Sequence, residues 1–353
     1  MLTPFASVFL PSIITFFVAV LLVEPFTTFL YKHRLWKKTR REDNNPDEIS
    51  QAYMQIHDGA KEVKTPRMGG MLIWLSVLAV VILFFLLPSV APNDAITRLN
   101  VLSKEQTLMV ALGFFAGALI GLIDDLTSVK VIVGKFFEHG IPRWLFFTIM
   151  FAVAIASGWW LFAKLGMTTL LIPLMGTISI GWLIIPLFVI VMLGLFSSGV
   201  IDGIDGLAGG VMTIIYAAYG VIALLQAQYD LAGFLFAIMA ALLVFLWFNI
   251  PPARFYLGET GMLALTMGLA YAVFITKQVV VLIIIALPLV ATSLSSLIQI
   301  YSKKYLGKKV FKVAPLHHHF QAIGWTNEKV VMRYWVVTIA CAIIGIALTQ
   351  LVV

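Results

Sequence analysis

Apolar residues in this chain come in long unbroken runs. Ten stretches of about 17 or more residues are almost free of charge: roughly 7–30, 68–89, 106–127, 143–163, 182–199, 208–227, 231–249, 260–276, 278–301 and 330–353. A helix needs about 20 apolar residues to cross a hydrocarbon core of about 30 Å. The pattern therefore predicts an all-α integral membrane protein, a bundle of about ten transmembrane helices forming one polytopic domain over residues 1–353. The first run is too long for the apolar part of a signal peptide. It lacks a basic start and a small-residue cleavage site, so it is expected to stay as an anchor. No internal repeat and no separate soluble domain is visible.

Two segments break the helical pattern. Residues 164–181, "KLGMTTLLIPLMGTISIG", hold Gly, Pro and β-branched residues and predict a short hairpin or re-entrant piece. The run 278–301 carries Pro288 in its middle. At about 1.5 Å per residue it would reach roughly 36 Å, so it is expected to tilt, kink or protrude from the membrane.

The polar residues between the runs are strongly sided. Ten spans put both termini on one side and divide the loops into two alternating sets. Of the 24 Lys and Arg residues, only Arg98, Lys104, Lys164 and Lys277 fall in one set. The other set, at about 31–67, 124–142, 200–207, 250–259 and 302–329, is predicted to be cytoplasmic, which leaves both termini outside. This places the chain in a cell membrane as a multi-pass protein.

Composition agrees with this picture and narrows the chemistry. The sequence is 61% hydrophobic and 12% charged, with a mean hydropathy of +1.00, far too apolar for a water-soluble domain. The net charge of +7 fits an anionic membrane face or an anionic substrate better than nucleic acid. A single cysteine, Cys341, excludes a disulfide framework and a cysteine-based metal site.

Acidic residues at the predicted membrane boundary are informative, because an ionised carboxylate near hydrocarbon is costly without a partner. "GLIDDL" places Asp124 and Asp125 at the end of the third run. "GVIDGIDGLAGG" places Asp202 and Asp205 between the fifth and sixth, and "FYLGETGML" places Glu259 just before the eighth. Each has a purely structural explanation: a solvated Asp pair, an N-cap at Asp205, and a favourable macrodipole contact at Glu259. "GLAGG" has one too, as a close helix contact. Together these five acids all fall in cytoplasmic loops of a chain poor in acids. If the loops converge, their carboxylates repel one another unless a cation joins them, and hard oxygen ligands suit Mg²⁺. A magnesium ion so held bridges a diphosphate and offsets charge on a leaving phosphate. Lys130 and Lys135 lie in the loop after the Asp pair and are candidates for added positive charge on the substrate side; solvated loop lysines are the plain alternative.

Half of the six histidines stand together in "APLHHHF", at His317, His318 and His319. Consecutive residues point their side chains in diverging directions, and neither an HExxH helix nor a cysteine partner is present, so zinc is a poor fit. Beside Lys308, Lys309 and Lys312, imidazoles fit better as donors to phosphate oxygens. A loop tract that only caps a helix is the remaining alternative.

Taken in order, "TPRMGG" (65–70), "GLIDD" (121–125), "DGIDGLA" (202–208), "FLWFN" (245–249), "LGETG" (257–261), "KKVFKVAPLHHHF" (308–320) and "GWTNEKVVMRYW" (324–335) resemble one family. It is the phospho-N-acetylmuramoyl-pentapeptide transferases, within the polyprenyl-phosphate N-acetylhexosamine-1-phosphate transferases. The resemblance runs from about residue 65 to the C-terminus, and "APLHHHF" is its most specific element. It implies a ten-helix, Mg²⁺-dependent enzyme, expected as a homodimer, that takes UDP-N-acetylmuramoyl-pentapeptide and undecaprenyl phosphate and yields lipid I and UMP. It implies Asp124 and Asp125 at the catalytic centre, Asp202 as a magnesium ligand with Glu259 and Asp124, and Asp205 as a further essential acid. It also implies substrate-side roles for Lys64, Thr65, Asn249 and Tyr256, and phosphate or nucleotide contacts for the three histidines.

The sequence departs from the family pattern at several places. Glu259 stands for a usual Asp, Arg67 for Thr, Met262 for Ser, Gln321 for Glu and Tyr256 for Phe. Phe196, Gly199 and Ile201 replace two asparagines and a threonine before Asp202, and the loop holding "EDNNPDEISQAYMQIHDG" is longer than the family's. A sister enzyme using UDP-N-acetylglucosamine, a membrane transporter and a catalytically impaired relative are the competing readings.

Overall fold

The computed structural model describes residues 4–36, 64–102, 104–131 and 141–351. Lys135 and the long insertion at 42–59 lie outside the described residues.

The described residues are helical almost throughout. The elements are α1 (Pro4–Lys32), α2 (Gly70–Val90), α3 (Glu105–Ser128), α4 (Arg143–Ala163), α5 (Ile184–Ser197), α6 (Leu207–Leu225), α7 (Tyr229–Asn249) and α8 (Gly258–Ile275). They are followed by α9 (Val279–Ile285), α10 (Leu287–Tyr301), α11 (Leu316–Ala322) and α12 (Asn327–Thr349). The described residues hold 9 helices long and apolar enough to cross a bilayer, and up to 10 if the bent pair of α9 and α10 is one span. These match the ten apolar runs to within a few residues.

The two irregular segments behave as their composition predicts. An antiparallel hairpin joins α4 to α5, with β1 (Thr169–Ile172) paired to β2 (Gly176–Ser179) so that Thr169 faces Ser179 and Ile172 faces Gly176. Its turn uses left-handed backbone at Leu174 (φ 67) and Gly176 (φ 82). The long run near Pro288 is broken: α9 and the helix that follows meet at 81°. Pro288 sits in the first turn of α10, where its missing N–H leaves no hydrogen bond unmade. Beyond α10 the chain widens into a π-helical turn, Ser302–Leu306, and stops at Gly307 in the left-handed region (φ 63).

Helix α8 is the axis of the bundle, sheathed on nearly every side and packed against α2, α3 and α5. Outer helices instead present large apolar side chains outwards, among them Phe17, Trp144, Ile190 and Ile343. A water-soluble fold would bury such residues; lipid tails accept them.

Small residues set the closeness of the central contacts. Gly113, Gly117 and Gly121 recur every four residues and so share one face of α3. A Cβ added at Gly117 would lie 2.4 Å from the Leu263 carbonyl oxygen, and one at Gly121 would lie 2.2 Å from that of Glu259. On α2, a Cβ at Gly70 would meet the Gly261 Cα at 2.2 Å. Backbone therefore touches backbone where α2 and α3 meet α8, the close approach that small residues permit inside a bilayer.

Candidate active site

Asp125 continues the glycine face of α3 by one more step of four. It is buried, and its Oδ2 accepts a hydrogen bond from the Thr260 N–H at 2.9 Å, in the first turn of α8. A carboxylate there meets unsatisfied backbone donors and the positive end of the helix dipole. Thr260 is fixed in turn: its hydroxyl donates to the Ala118 carbonyl at 3.0 Å and accepts from the Trp74 indole at 3.1 Å. The glycines thus bring Asp125 and Glu259 into one neighbourhood. Asp124 is half-buried, with Oδ1 accepting from the Ile141 N–H at 3.1 Å.

The "TPRMGG" segment is laced to the chain that enters α8. Tyr256 N–H donates to the Pro66 carbonyl at 2.8 Å, Gly69 N–H to that of Tyr256 at 2.7 Å, and Gly70 N–H to that of Leu257 at 2.8 Å. Gly258 (φ 72) must be glycine for space as well as conformation, since a Cβ would lie 2.6 Å from Asp125 Oδ2 and 2.9 Å from Met68 N. Tyr256 and Thr65 are half-buried here, while Lys64 and Lys130 are exposed.

The loop carrying Asp202 and Asp205 is held from three sides. Asn249 is buried and clamps two loops, its Oδ1 accepting from Gly206 N–H and its Nδ2 donating to the Phe255 carbonyl, both at 2.9 Å. The Trp335 indole donates to the Gly206 carbonyl at 3.2 Å, and Asp205 Oδ2 accepts from Ala253 N–H at 3.2 Å. Asp205 is therefore not the N-cap of α6; Gly206 holds that position, in the left-handed region (φ 80).

The third side is the histidine helix. His317 and His318 are buried with ring centroids 4.1 Å apart, and a Cβ on Gly203 would meet their Nε2 atoms at 2.6 and 3.1 Å. Both imidazoles thus close on the backbone immediately after Asp202. His318 Nδ1 lies 2.6 Å from Gln321 Oε1, an acceptor that keeps the proton on Nδ1, and Nε2 is turned towards the loop. His319 diverges: its Nδ1 accepts from Lys312 N–H at 3.2 Å and its ring packs on Phe311. It shapes its own loop, while its two neighbours face the acids.

Asp202 is an exposed residue, yet the protein around its carboxylate costs it hydration. This loss of hydration pushes the Asp202 carboxyl up to about 6; Arg67 opposes the shift, and Asp125 and Asp205 add to it. Asp125 and Glu259 also lie within electrostatic reach of Arg67. Among the described residues, no three acids or histidines stand close enough together to grip one metal ion. The donor set nonetheless fits Mg²⁺, which takes one or two carboxylates and completes its shell with water and phosphate oxygens.

Sequence reasoning finds the acids and histidines and misses what holds them. Thr260 and Trp335 lie within quoted motifs and Arg67 is noted only as a departure, none of them with a role, while Trp74 lies in no motif. The spacing of Gly113, Gly117 and Gly121 is the one readable signal of the α3–α8 contact.

Comparison with known proteins agrees with this architecture. Residues 107–279 match Glycosyl transferase family 4. The phospho-N-acetylmuramoyl-pentapeptide-transferase of a Geobacillus species is 32% identical over 343 residues, covering 96% of each chain. The Bacillus licheniformis protein of that name is 32% identical over 340 residues, 95% of each. That of Acetivibrio thermocellus is 34% identical over 292 residues, 81% of this chain and 82% of its own. With such likeness over nearly its whole length, the chain belongs to the phospho-N-acetylmuramoyl-pentapeptide-transferase family.

Proposed function

We propose that this protein transfers phospho-N-acetylmuramoyl-pentapeptide from its UDP derivative to undecaprenyl phosphate, producing lipid I and UMP on the cytoplasmic face of the cell membrane. The observation that supports this reading is a pair of close approaches: Asp125 Oδ2 accepts from Thr260 N–H, next to Glu259, and the Nε2 atoms of His317 and His318 lie against Gly203, next to Asp202. An oxygen of the lipid phosphate attacks the phosphorus that bears the sugar. The bond from that phosphorus to the UMP oxygen breaks, and the leaving charge settles on UMP. A loose phosphoryl transfer of this kind needs positioning and charge stabilisation above all.

Two carboxylates, those of Asp202 and Glu259, would hold Mg²⁺. When bound, the ion neutralises negative charge on the diphosphate. Asp125, fixed by Thr260, keeps the α3 and α8 ends of the recess together. The Nε2 atoms of His317 and His318 lie beside the Asp202 loop; with Nδ1 of His318 already donating to Gln321, its Nε2 would donate to a phosphate oxygen as the imidazolium. A transporter is disfavoured by the position of the acids at helix ends and loops, away from mid-membrane.

The test is lipid I synthesis in detergent by Asp202→Asn and His318→Ala. Both are expected to lose at least about a hundredfold in turnover, the scale of removing one charge-stabilising group. Near wild-type turnover in both sinks the assignment. Offering UDP-N-acetylglucosamine in place of the muramoyl-pentapeptide substrate separates this reading from that of a sister enzyme, by the mass of the lipid product.

A further inference from the structure

Gln321 follows His318 by three residues on α11, so the two side chains share a face. Its amide reaches both ways. Oε1 lies 2.6 Å from His318 Nδ1, and Nε2 donates at 2.5 Å to Oδ1 of Asn327, the first residue of α12. An amide that spends its N–H on Asn327 has its oxygen to offer the ring, so the proton of a neutral His318 belongs on Nδ1. The backbone between the two helices is held for this contact. Gly324 turns in the left-handed region (φ 100), its N–H donating to the Gln321 carbonyl at 2.9 Å, and Trp325 N–H donates to that of Phe320 at 3.0 Å. The Trp325 ring stacks on Phe320 with centroids 4.6 Å apart, and Leu316 N–H ties the start of α11 to Ser295 Oγ on α10 at 2.8 Å. His318 itself is buried, with Nε2 turned towards Gly203, the residue after Asp202.

We propose that Gln321, oriented by Asn327, is a positioning residue of the transfer reaction: it acts through His318, keeping the proton on Nδ1 and so directing Nε2 to a phosphate oxygen of the substrate. This rests on the reading of His318 as a phosphate contact. Nε2 takes a proton from water, and the resulting imidazolium has both N–H groups satisfied, one by Gln321 and one by phosphate. Without the amide oxygen a buried Nδ1–H is left with no acceptor, which disfavours the charged ring and lets the neutral one carry its proton on Nε2.

The chain has six histidines, so ¹⁵N-histidine labelling of the purified full chain in detergent resolves the ring nitrogens, and the signals lost in His318→Ala assign that residue. At alkaline pH, where imidazole is neutral, and without substrate, the wild type is expected to carry the His318 proton on Nδ1. Gln321→Glu keeps an acceptor oxygen beside the ring, and Asn327→Asp presents acceptors alone to the Gln321 amide; both are expected to keep that tautomer. Gln321→Met is close in length but has no such oxygen, and is expected to move the proton to Nε2. Asn327→Leu, away from the ring, lets the amide turn over and is expected to populate both tautomers. In lipid I synthesis Gln321→Met is expected to lose about tenfold to a hundredfold in kcat/KM, the range of one hydrogen bond to a charged group, while Gln321→Glu stays within a few-fold of wild type. An Nδ1 proton that survives in both Gln321→Met and Asn327→Leu, or a proton on Nε2 in the wild type, overturns the arrangement; so does a shift to Nε2 in Asn327→Asp. A shifted tautomer with undiminished turnover overturns its role in the reaction. Undiminished turnover in His318→Ala instead sinks the reading of His318 as a phosphate contact, and leaves the tautomer result standing.

Discussion

Asn249 spends both ends of its amide on backbone, one on the loop of the aspartates and one on the segment leading into α8. In the sequence it reads as a substrate contact, because an Asn after a long apolar run looks the same whether its amide faces a ligand or closes a buried clamp. Burial and partner atoms make that distinction, and neither is written in residue order. The clamp has a measurable consequence. Asn249→Ala leaves a buried N–H and a buried carbonyl without partners, each costing about 1–3 kcal/mol. A clear fall in melting temperature is expected, together with lower turnover as the Asp202 loop relaxes. An unchanged melting temperature with a raised KM for the nucleotide sugar would restore the ligand role. His319 shows the same limit: three identical letters divide into two imidazoles facing the acids and one that accepts a backbone N–H of its own loop.

At the scale of elements, hydropathy alone places nearly every helix, since a bilayer selects apolar runs of one length and leaves little else to decide. What it leaves open is which helices touch and how closely. That is settled by side chains that are missing, on α3 above all. Gly121→Ala would set a methyl group 2.2 Å from the Glu259 carbonyl oxygen, a backbone atom that cannot step aside. The two helices must part, Asp125 is drawn from the Thr260 N–H, and overpacking of this kind costs about 1–3 kcal/mol or more. Gly194 in α5 is the control, having nothing within 4 Å of its added Cβ. Gly194→Ala is expected to be neutral or to stabilise by up to about 1 kcal/mol through helix propensity. Melting temperature and lipid I synthesis measured on both variants separate packing from propensity. Equal behaviour of the two would mean that the α3–α8 approach does not position the site.

For the whole molecule, the argument turns on sidedness, because an enzyme that joins a soluble nucleotide sugar to a membrane lipid must open its recess to the compartment that supplies the nucleotide. Charge bias among the loops predicts Lys308 and its neighbours inside and the β1–β2 hairpin outside. The fold is consistent with a single orientation for the acids: Asp125 is bonded to Thr260, next to Glu259, and the histidine helix, which lies against Gly203 next to Asp202, follows closely on the exposed lysines at 303–312. The hairpin belongs to the other end of the bundle, joined to α4 and α5 at the termini remote from Asp202. Cys341 is the only cysteine in the sequence and is buried, so introduced thiols can be read against little background. Met175→Cys at the hairpin turn, where Met175 is 78% exposed, is expected to react with a membrane-impermeant maleimide applied to intact spheroplasts. Lys308→Cys, also exposed, is expected to react only after the membrane is opened. The reverse pattern would turn the bundle over and carry the recess with it, leaving the acids on the side where no nucleotide sugar is made and removing the basis for the proposed reaction.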